Sequence, residues 1–444
     1  MDQDWVKIYK KLMKFLDKKD PERKFRFHGN DSDIFSKMID DLRRLFVYSE
    51  VGHEIPTALR WNKILHDSFT TVKNLLKIEG MQLPREFKSF VDDPEKHLMK
   101  KIVFYLYDLL RDKMSLDEFI QTAGAAVRTS LKTNIRSIYQ SWVYVNILIL
   151  LSQYGGTMIY PELRYLILGR SGKQKSGEIP PNAVIYLDGK GYLSFFLEAP
   201  RPISWEDSGD LRKIWTLYTA LRPDILVYTR KILNIVDLKS NPPIIRPDII
   251  IECKELEDWY KRGREVRGPF ARPLSVEEWR SKWISGLWDG LADALGVTRK
   301  KITEEIKDRR ALRLKDIQIV TLYYKLYKPK VMFLVSRAPV PKEIKKYLRE
   351  RGLRVIDNVG FNRSKLKPIA NELYKRAKRD VTDYELIELN GEELTLLDKL
   401  IRILREKHRY GEITTKDAIR FALKFTLRNK DLIPKLLESK SQNV

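Results

Sequence analysis

Residues 245–255, IRPDIIIECKE, place an acid and an amine at the end of an apolar strand. The run of β-branched residues favours a buried strand, which ends in Glu252, Cys253 and Lys254. Residues two positions apart on a strand project from one face, so Glu252 and Lys254 are roughly 7 Å apart at the backbone. Burying two opposite charges costs free energy unless the protein uses them. Such a pair, with one further carboxylate, is suited to holding a divalent metal against a phosphodiester.

The length and hydropathy of the chain predict a soluble, folded protein. Its 444 residues are enough for two or three domains, and 43% of them are hydrophobic while 32% are charged. The longest apolar run, residues 142–151, is too short to cross a bilayer, which takes about 20 residues. The first residues are charged and lack the apolar core of a signal peptide. We therefore expect a cytoplasmic protein without a membrane partner.

Cysteine and histidine usage removes several classes of site. The single cysteine excludes disulfide frameworks and zinc fingers. None of the five histidines lies between positions 98 and 407, which excludes a histidine-centred nuclease or a Ser-His-Asp triad in the middle of the chain.

The charge balance predicts a polyanionic partner. Net charge is +24 and the isoelectric point is near 9.7. Half of the excess lies in residues 299–354, which hold 18 Lys and Arg against 6 Asp and Glu. Abundant Lys, Glu, Arg and Ile also suit a thermophile, but thermophile surfaces usually balance their signs. Nucleic acid is the expected partner, with DNA favoured and RNA left open.

Three regions follow from the hydrophobic patterns. Residues 1–134 read as a helical accessory domain, residues 135–360 as an α/β domain, and residues 361–444 as a helical carboxy-terminal domain. In the middle region, Asp188 and Gly189 mark a hairpin turn between two strand-like runs. An amphipathic helix is expected from Ser275, and residues 331–357 read as strand, helix and parallel strand.

Geometry selects a second carboxylate to accompany Glu252. Asp248 shares its strand face but is four residues away, roughly 13 Å, which is too far for one metal to bridge. Asp224, in Pro223-Asp224, comes alongside if the chain turns within residues 237–243, a segment rich in turn formers. Antiparallel pairing about residue 239 or 240 would set Asp224 opposite Lys254 or Leu256, on the same face as Glu252.

Two alternatives stay open. Asp237 and Lys239 form a similar acid-X-lysine element, although pairing them with Asp224 demands a turn near Arg230, where turn formers are lacking. The charges could also form a purely structural ion cluster.

The arrangement of these motifs resembles the PD-(D/E)XK nuclease superfamily, which includes archaeal junction resolvases and restriction enzymes. The likeness consists of RPD, a hairpin, ECK, an amphipathic helix and a further strand, over roughly residues 135–360. It implies a restriction-endonuclease-like mixed β-sheet core flanked by helices, in a thermophilic, archaeal-type member. Carried over by position, Asp224, Glu252 and the main-chain carbonyl of Cys253 would bind Mg²⁺ or Mn²⁺, and Lys254 would be the catalytic lysine.

One position departs from the pattern of that superfamily. Many members carry a glutamate in the helix before the sheet, where this chain has Gln140 in YQSW. An amide binds metal more weakly, which puts a second metal ion in doubt, and Glu198 is the other candidate for the missing carboxylate. Within this likeness, a metal-bound water would attack phosphorus, and Lys254 would orient it or neutralise the developing charge. Cys253 points to the opposite face and is expected to be a core residue.

Two basic groups are candidates for contact with nucleic-acid phosphates. The first lies in the loop after the site, at Arg262, Arg264, Arg267 and Arg272; the second lies on one helix, at Lys342, Lys345, Lys346 and Arg349.

The predicted function is a metal-dependent DNA endonuclease. The alternatives are a catalytically weak or inactive nucleic-acid-binding protein on the same fold, or a DNA-processing subunit of a larger complex. Cutting both strands of a duplex often takes two sites, which a homodimer or such a complex would supply.

Overall fold

The computed structural model of the chain describes residues 4–171, 178–199, 222–237, 244–265, 313–378 and 391–407, with seven further residues between 418 and 429. The chain divides into two compact units, Met1–Asp380 and Val381–Val444. The expected helix from Ser275 falls outside the described residues.

The first unit contains ten α-helices and eleven strands within the described ranges. The helices are α1 (Asp4–Lys19), α2 (Asn30–Val51), α3 (Ile55–Leu76), α4 (Arg85–Asp92), α5 (Pro94–Lys101), α6 (Val103–Leu110), α7 (Leu116–Ser152), α8 (Asp316–Tyr327), α9 (Lys342–Glu350) and α10 (Lys367–Arg376). The strands are β1 (Gly80–Gln82), β2 (Gly156–Tyr160), β3 (Tyr165–Ile167), β4 (Ala183–Leu187), β5 (Gly191–Leu197), β6 (Ile225–Tyr228), β7 (Ile249–Lys254), β8 (Gly263–Glu265), β9 (Arg313–Lys315), β10 (Val331–Ser336) and β11 (Leu353–Ile356).

The central element is α7, a helix of 37 residues. It begins with a capping box, in which Ser115 Oγ accepts from the amide of Glu118 and the Glu118 carboxylate accepts from the amide of Ser115 at 2.8 Å. Its buried side chains run from Phe119 to Leu151. The predicted boundary between residues 134 and 135 lies inside α7, because the apolar stripe crosses that point without a break.

Seven strands form one mixed sheet in the order β11-β10-β7-β6-β5-β4-β2. β7, β10 and β11 are parallel, and the pairs from β7 to β2 are antiparallel. The parallel β10-α9-β11 crossover confirms the expectation from residues 331–357. The expected hairpin turn joins β4 to β5, where Gly189 adopts a φ of +67°.

The register between β6 and β7 corrects the predicted pairing. Ile225 faces Ile251 and Val227 faces Ile249, so continuing the ladder by one residue sets Asp224 opposite Glu252. The predicted partners were Lys254 or Leu256. The difference is an even number of residues, so the shared face predicted for Asp224 and Glu252 is kept.

The two faces of the sheet have separate cores. Ile225, Val227, Ile249 and Ile251 belong to the larger core, which contains the buried face of α7. Alternate residues of the same strands, such as Leu226 and Ile250, belong to a second core that α8 and α9 cover. Because side chains alternate along a strand, Glu252 and Lys254 lie on the α8 side of β7.

The second unit contains α11 (Gly391–Lys407), which confirms the predicted helix in this region. Ile401 and Leu404 pack with Ala418 in a small apolar cluster. Among the helices that the structure describes in either unit, none combines the length and apolarity needed to span a bilayer.

Candidate functional site: a buried acidic pair

Asp224, Glu252 and Lys254 meet where β6 begins and β7 ends. Asp224 immediately precedes β6, and Glu252 and Lys254 are among the last residues of β7. Antiparallel pairing of the two strands brings these ends together. All three residues are almost wholly buried, with exposed fractions of 0%, 1% and 3%. The sequence-predicted residues therefore form one cluster inside the protein.

The two carboxylates are joined through main-chain amides. The amide of Asp224 donates to Glu252 Oε2 at 3.2 Å, and the amide of Cys253 donates to Asp224 Oδ2 at 2.8 Å. Each acid thus accepts a hydrogen bond from the strand that carries the other. This exchange holds the two carboxylates side by side, because the amide of Cys253 belongs to β7 and the amide of Asp224 immediately precedes β6.

Two cations complete the cluster. Lys254 Nζ donates to Glu252 Oε1 at 2.9 Å and lies 5.8 Å from the Trp259 ring centroid. From α7, Arg136 Nη2 donates to Asp224 Oδ1 at 3.1 Å. Every carboxylate oxygen of the pair therefore accepts one protein hydrogen bond, and two negative charges face two positive charges.

Burial and mutual repulsion change the acidity of this cluster. Burial, together with the charge of Asp224, raises the pKa of Glu252 to about 7, although Lys254 and Arg136 oppose the rise. Asp224 in turn raises the pKa of Arg136. The pKa of the Tyr323 hydroxyl on α8 is raised well above its usual value, first by burial and then by Glu252 and Asp224. Glu252 therefore keeps its proton up to about neutral pH.

Cys253 lies in the opposite core, as the alternation of side chains predicts. It is 2% exposed and belongs to the core on the α7 side. Burial raises the pKa of its thiol well above the usual value, so the thiolate needed for nucleophilic attack is disfavoured. The role of its main-chain carbonyl as a metal ligand stays a prediction.

Gln140 and Glu198 both contact the main chain of Asp224 and not its carboxylate. Gln140 Nε2 donates to the Asp224 carbonyl at 3.3 Å, and the amide of Glu198 donates to the same oxygen at 2.9 Å. Glu198 immediately follows β5 and adopts a φ of +40°, and its side chain pairs with Arg170 Nε at 2.7 Å. Both residues therefore position Asp224.

Asp248 lies at the other end of β7 and serves another purpose. Its carboxylate accepts from the amide and hydroxyl of Thr229 at 2.8 and 3.0 Å, and from Lys330 Nζ at 2.6 Å. These contacts hold the chain in place just after β6. They give Asp248 a structural role, in line with the prediction that it is not a metal ligand. Of the alternative pair, Asp237 lies beyond the end of β6, and Lys239 is outside the described residues.

The predicted basic groups are only partly within the described residues. Arg262 forms an exposed ion pair with Asp258 at 2.8 Å. The backbone of Arg264 lies in β8, whereas Arg267 and Arg272 fall outside the described ranges.

The lysines and arginine of α9 are better defined. Lys345 pairs with Asp357 at 3.1 Å, while Lys342, Lys346 and Arg349 are exposed. The four residues, together with Glu350, line a shallow surface depression of about 330 Å³. Since Leu348 of α9 belongs to the second core, this basic surface is on the same side of the sheet as Glu252.

Arg136 is the site residue that sequence reasoning missed. It lies four residues before Gln140, so the two share one face of a helix and both reach Asp224. That spacing was visible in the sequence, but the Asp224 contact depends on the packing of α7 against the sheet.

The buried acidic pair is the candidate donor set for a hard divalent cation. No group of three or more His, Cys, Asp or Glu side chains in the described part of the chain is arranged to hold a metal. Asp224 and Glu252 supply two carboxylates, and each oxygen retains a second lone pair beyond its hydrogen bond. Mg²⁺ commonly binds through one or two carboxylates with water in its other positions. Two carboxylates are the number that such an ion commonly uses, and metal binding by this pair stays a prediction.

Comparisons of the chain with models of protein families, with curated proteins and with solved structures find no significant match.

Proposed function

We propose that the protein is a metal-dependent phosphodiesterase that cuts DNA, built on a restriction-endonuclease-like sheet. The observation that carries this proposal is the buried pair Asp224 and Glu252, held side by side by reciprocal amide bonds with Lys254 alongside. Buried like charges cost free energy, and they are kept where a cation or a reaction needs them. The mixed sheet with parallel β7 and β10 also supports the proposed fold.

In this proposal Asp224 and Glu252 hold Mg²⁺ or Mn²⁺, with the main-chain carbonyl of Cys253 as a further ligand. When bound, such an ion lowers the pKa of a water and so supplies a nucleophile for phosphorus. The Lys254 ammonium stands next to Glu252 and stabilises negative charge that develops on the phosphoryl oxygens. Gln140 and Glu198 hold the Asp224 carbonyl and so keep its carboxylate in place.

The positive charge of the protein supports DNA as the substrate. The net charge of +24 favours a polyanion, and the exposed cations of α9 are on the Glu252 side of the sheet. Association into a homodimer or a larger complex would provide the second site that a double-strand cut needs.

A cleavage panel tests this function. Purified protein is incubated with linear, nicked, flap and four-way DNA, with Mn²⁺ or with EDTA. We expect cutting only with the metal, and its loss in Glu252→Ala and Lys254→Ala with DNA binding retained. Asp248→Ala is the control on the same strand and should still cut. Full cutting by both site variants would overturn the assignment.

One observation favours a second function, a DNA-binding protein without catalysis. All four carboxylate oxygens are already engaged and the two acids are balanced by Arg136 and Lys254, so the cluster is stable without a metal. Titration calorimetry with Mn²⁺ separates the two functions. Metal uptake that Glu252→Gln abolishes favours the enzyme, whereas absence of uptake with salt-sensitive DNA binding favours the binding protein.

A further inference from the structure

Arg222 is a partly buried arginine two residues before Asp224 in the chain, and no ion pair of its side chain is found among the described residues. It immediately precedes Pro223 and Asp224. Its Nε atom is shielded from solvent and has no hydrogen-bond acceptor among the described residues. Buried donors are normally paired, so this atom marks an incomplete site.

Among the described residues, no carboxylate is paired with Arg222 alone. Arg170 and Glu198 are its charged neighbours, and Tyr323 and Tyr327 of α8 face it from the second core. Glu198 is the acid that could neutralise Arg222, but its carboxylate already accepts from Arg170 Nε at 2.7 Å. Burial, and then repulsion by Arg170, lowers the pKa of Arg222. In the part of the chain that the structure describes, two guanidinium groups thus share one carboxylate, that of Glu198.

A partly buried guanidinium without an acceptor lowers the stability of the folded protein. Binding of an anion would supply that acceptor, which gives a physical reason for an arginine at this position. The planar fork of arginine matches the oxygens of a phosphate, and paired arginines are well suited to bind it. Arg222 is two residues from Asp224, so a phosphate bound there would sit beside the acidic pair.

We propose that Arg222 and Arg170 form an anion site that binds a phosphate of the nucleic-acid backbone next to the one that is cut. The identity of the anion rests on the proposed function. The site itself requires no metal, because neither arginine contacts the carboxylates of Asp224 or Glu252 in the described hydrogen bonds and ion pairs.

The test is the salt dependence of DNA binding in EDTA, where no cutting occurs. A fluorescein-labelled 20-base-pair duplex is titrated at several salt concentrations with wild type, Arg222→Met and Arg222→Lys. Arg230→Met, beyond the opposite end of β6, is the matched control. Loss of one phosphate contact lowers the slope of log K against log salt by about 0.9. We expect that decrease for Arg222→Met, while Arg222→Lys and Arg230→Met keep the wild-type slope.

Thermal unfolding of the same variants separates a binding role from a structural one. Arg222→Met removes an uncompensated charge, so its Tm should equal or exceed that of wild type. A wild-type slope and affinity in Arg222→Met would overturn the inference. A lower Tm would also overturn it, because it would show that the Arg222 guanidinium already forms a stabilising contact within the folded protein. Neither outcome bears on the proposed function, which depends on cleavage by the Glu252 and Lys254 variants.

Discussion

Arg136 and Asp224 form an ion pair between α7 and the start of β6, with 3.1 Å between Nη2 and Oδ1. α7 packs on the face of the sheet opposite to Glu252, so Arg136 reaches the acidic pair around the end of the strand. The Arg136 side chain is 31% exposed, whereas Asp224 is fully buried. Arg136 is therefore the most exposed of the four charged residues in the cluster.

Removing Arg136 should tighten metal binding. Its positive charge lies against Asp224, and two like charges a few ångströms apart repel by about 1 kcal/mol or more even at high effective dielectric. We expect Arg136→Ala to bind Mn²⁺ roughly tenfold more tightly by titration calorimetry, which corresponds to about 1.4 kcal/mol. Arg136→Lys keeps the charge and should resemble wild type. Weaker Mn²⁺ binding in Arg136→Ala would contradict competition between the guanidinium and the metal.

The acidity of Glu252 should make stability fall as pH rises. Its pKa is about 7 in the folded protein against an ordinary 4.5, so the folded state binds more protons than the unfolded state between these values. The contribution of Glu252 to the free energy of unfolding is fully present below pH 4.5 and is lost as pH rises through 7. The loss amounts to about 3 kcal/mol when 1.36 kcal/mol is assigned to each pH unit.

Urea unfolding in EDTA between pH 4.5 and 8 measures this loss. Glu252→Gln lacks the titrating group and should show a flatter profile than wild type. Glu257→Gln is the control, since Glu257 is 78% exposed and lies five residues further along. Parallel profiles for wild type and Glu252→Gln would show that this carboxyl does not titrate in that range.

Local patterns predicted the parts of the site that lie close together in sequence. Glu252 and Lys254 share a face because they are two residues apart on a strand whose pairing with β10 has no register shift. The turn at Gly189 and the β10-α9-β11 crossover followed from short-range signals in the same way.

The remaining features depend on contacts between distant residues. The register of β6 and β7 was mispredicted by two or four residues, because a turn-rich segment limits the position of a turn without fixing it. The pairing of β1 with β3, 85 residues apart at Gly80 and Tyr165, leaves no local pattern. The ion pair of Arg136 with Asp224 also joins residues 88 positions apart.

Asp248 should be a structural residue without a part in metal binding. Hydrogen bonds from Lys330 and Thr229 lower its pKa despite burial, so its stabilising effect is present above pH 3.8 and is lost as pH falls further. Asp248→Ala leaves the Thr229 amide without its acceptor, which should cost about 1–3 kcal/mol at pH 7. Urea unfolding measures the cost, and calorimetry should give wild-type Mn²⁺ uptake. Loss of that uptake in a folded Asp248→Ala protein would mean that Asp248 belongs to the metal site.

The segment after residue 360 should be needed for the first unit to fold. The predicted boundary between residues 360 and 361 falls just before Phe361, whose ring lies 4.9 Å from Trp61 and 5.2 Å from Trp142. Further along, Leu373 of α10 is fully buried in the core on the α7 side. A chain ending at residue 360 would expose these apolar partners to water.

Truncation tests this boundary against the division at residue 380. We expect residues 1–380 to give a soluble protein that unfolds cooperatively, while residues 1–360 lose that transition, as followed by circular dichroism and urea. Phe361→Ala in the full chain should cost about 3 kcal/mol, because it removes a large side chain from a packed aromatic cluster. Phe104→Ala is the matched control, since Phe104 is 81% exposed. Cooperative unfolding of residues 1–360 at wild-type stability would place the end of the folding unit before Phe361.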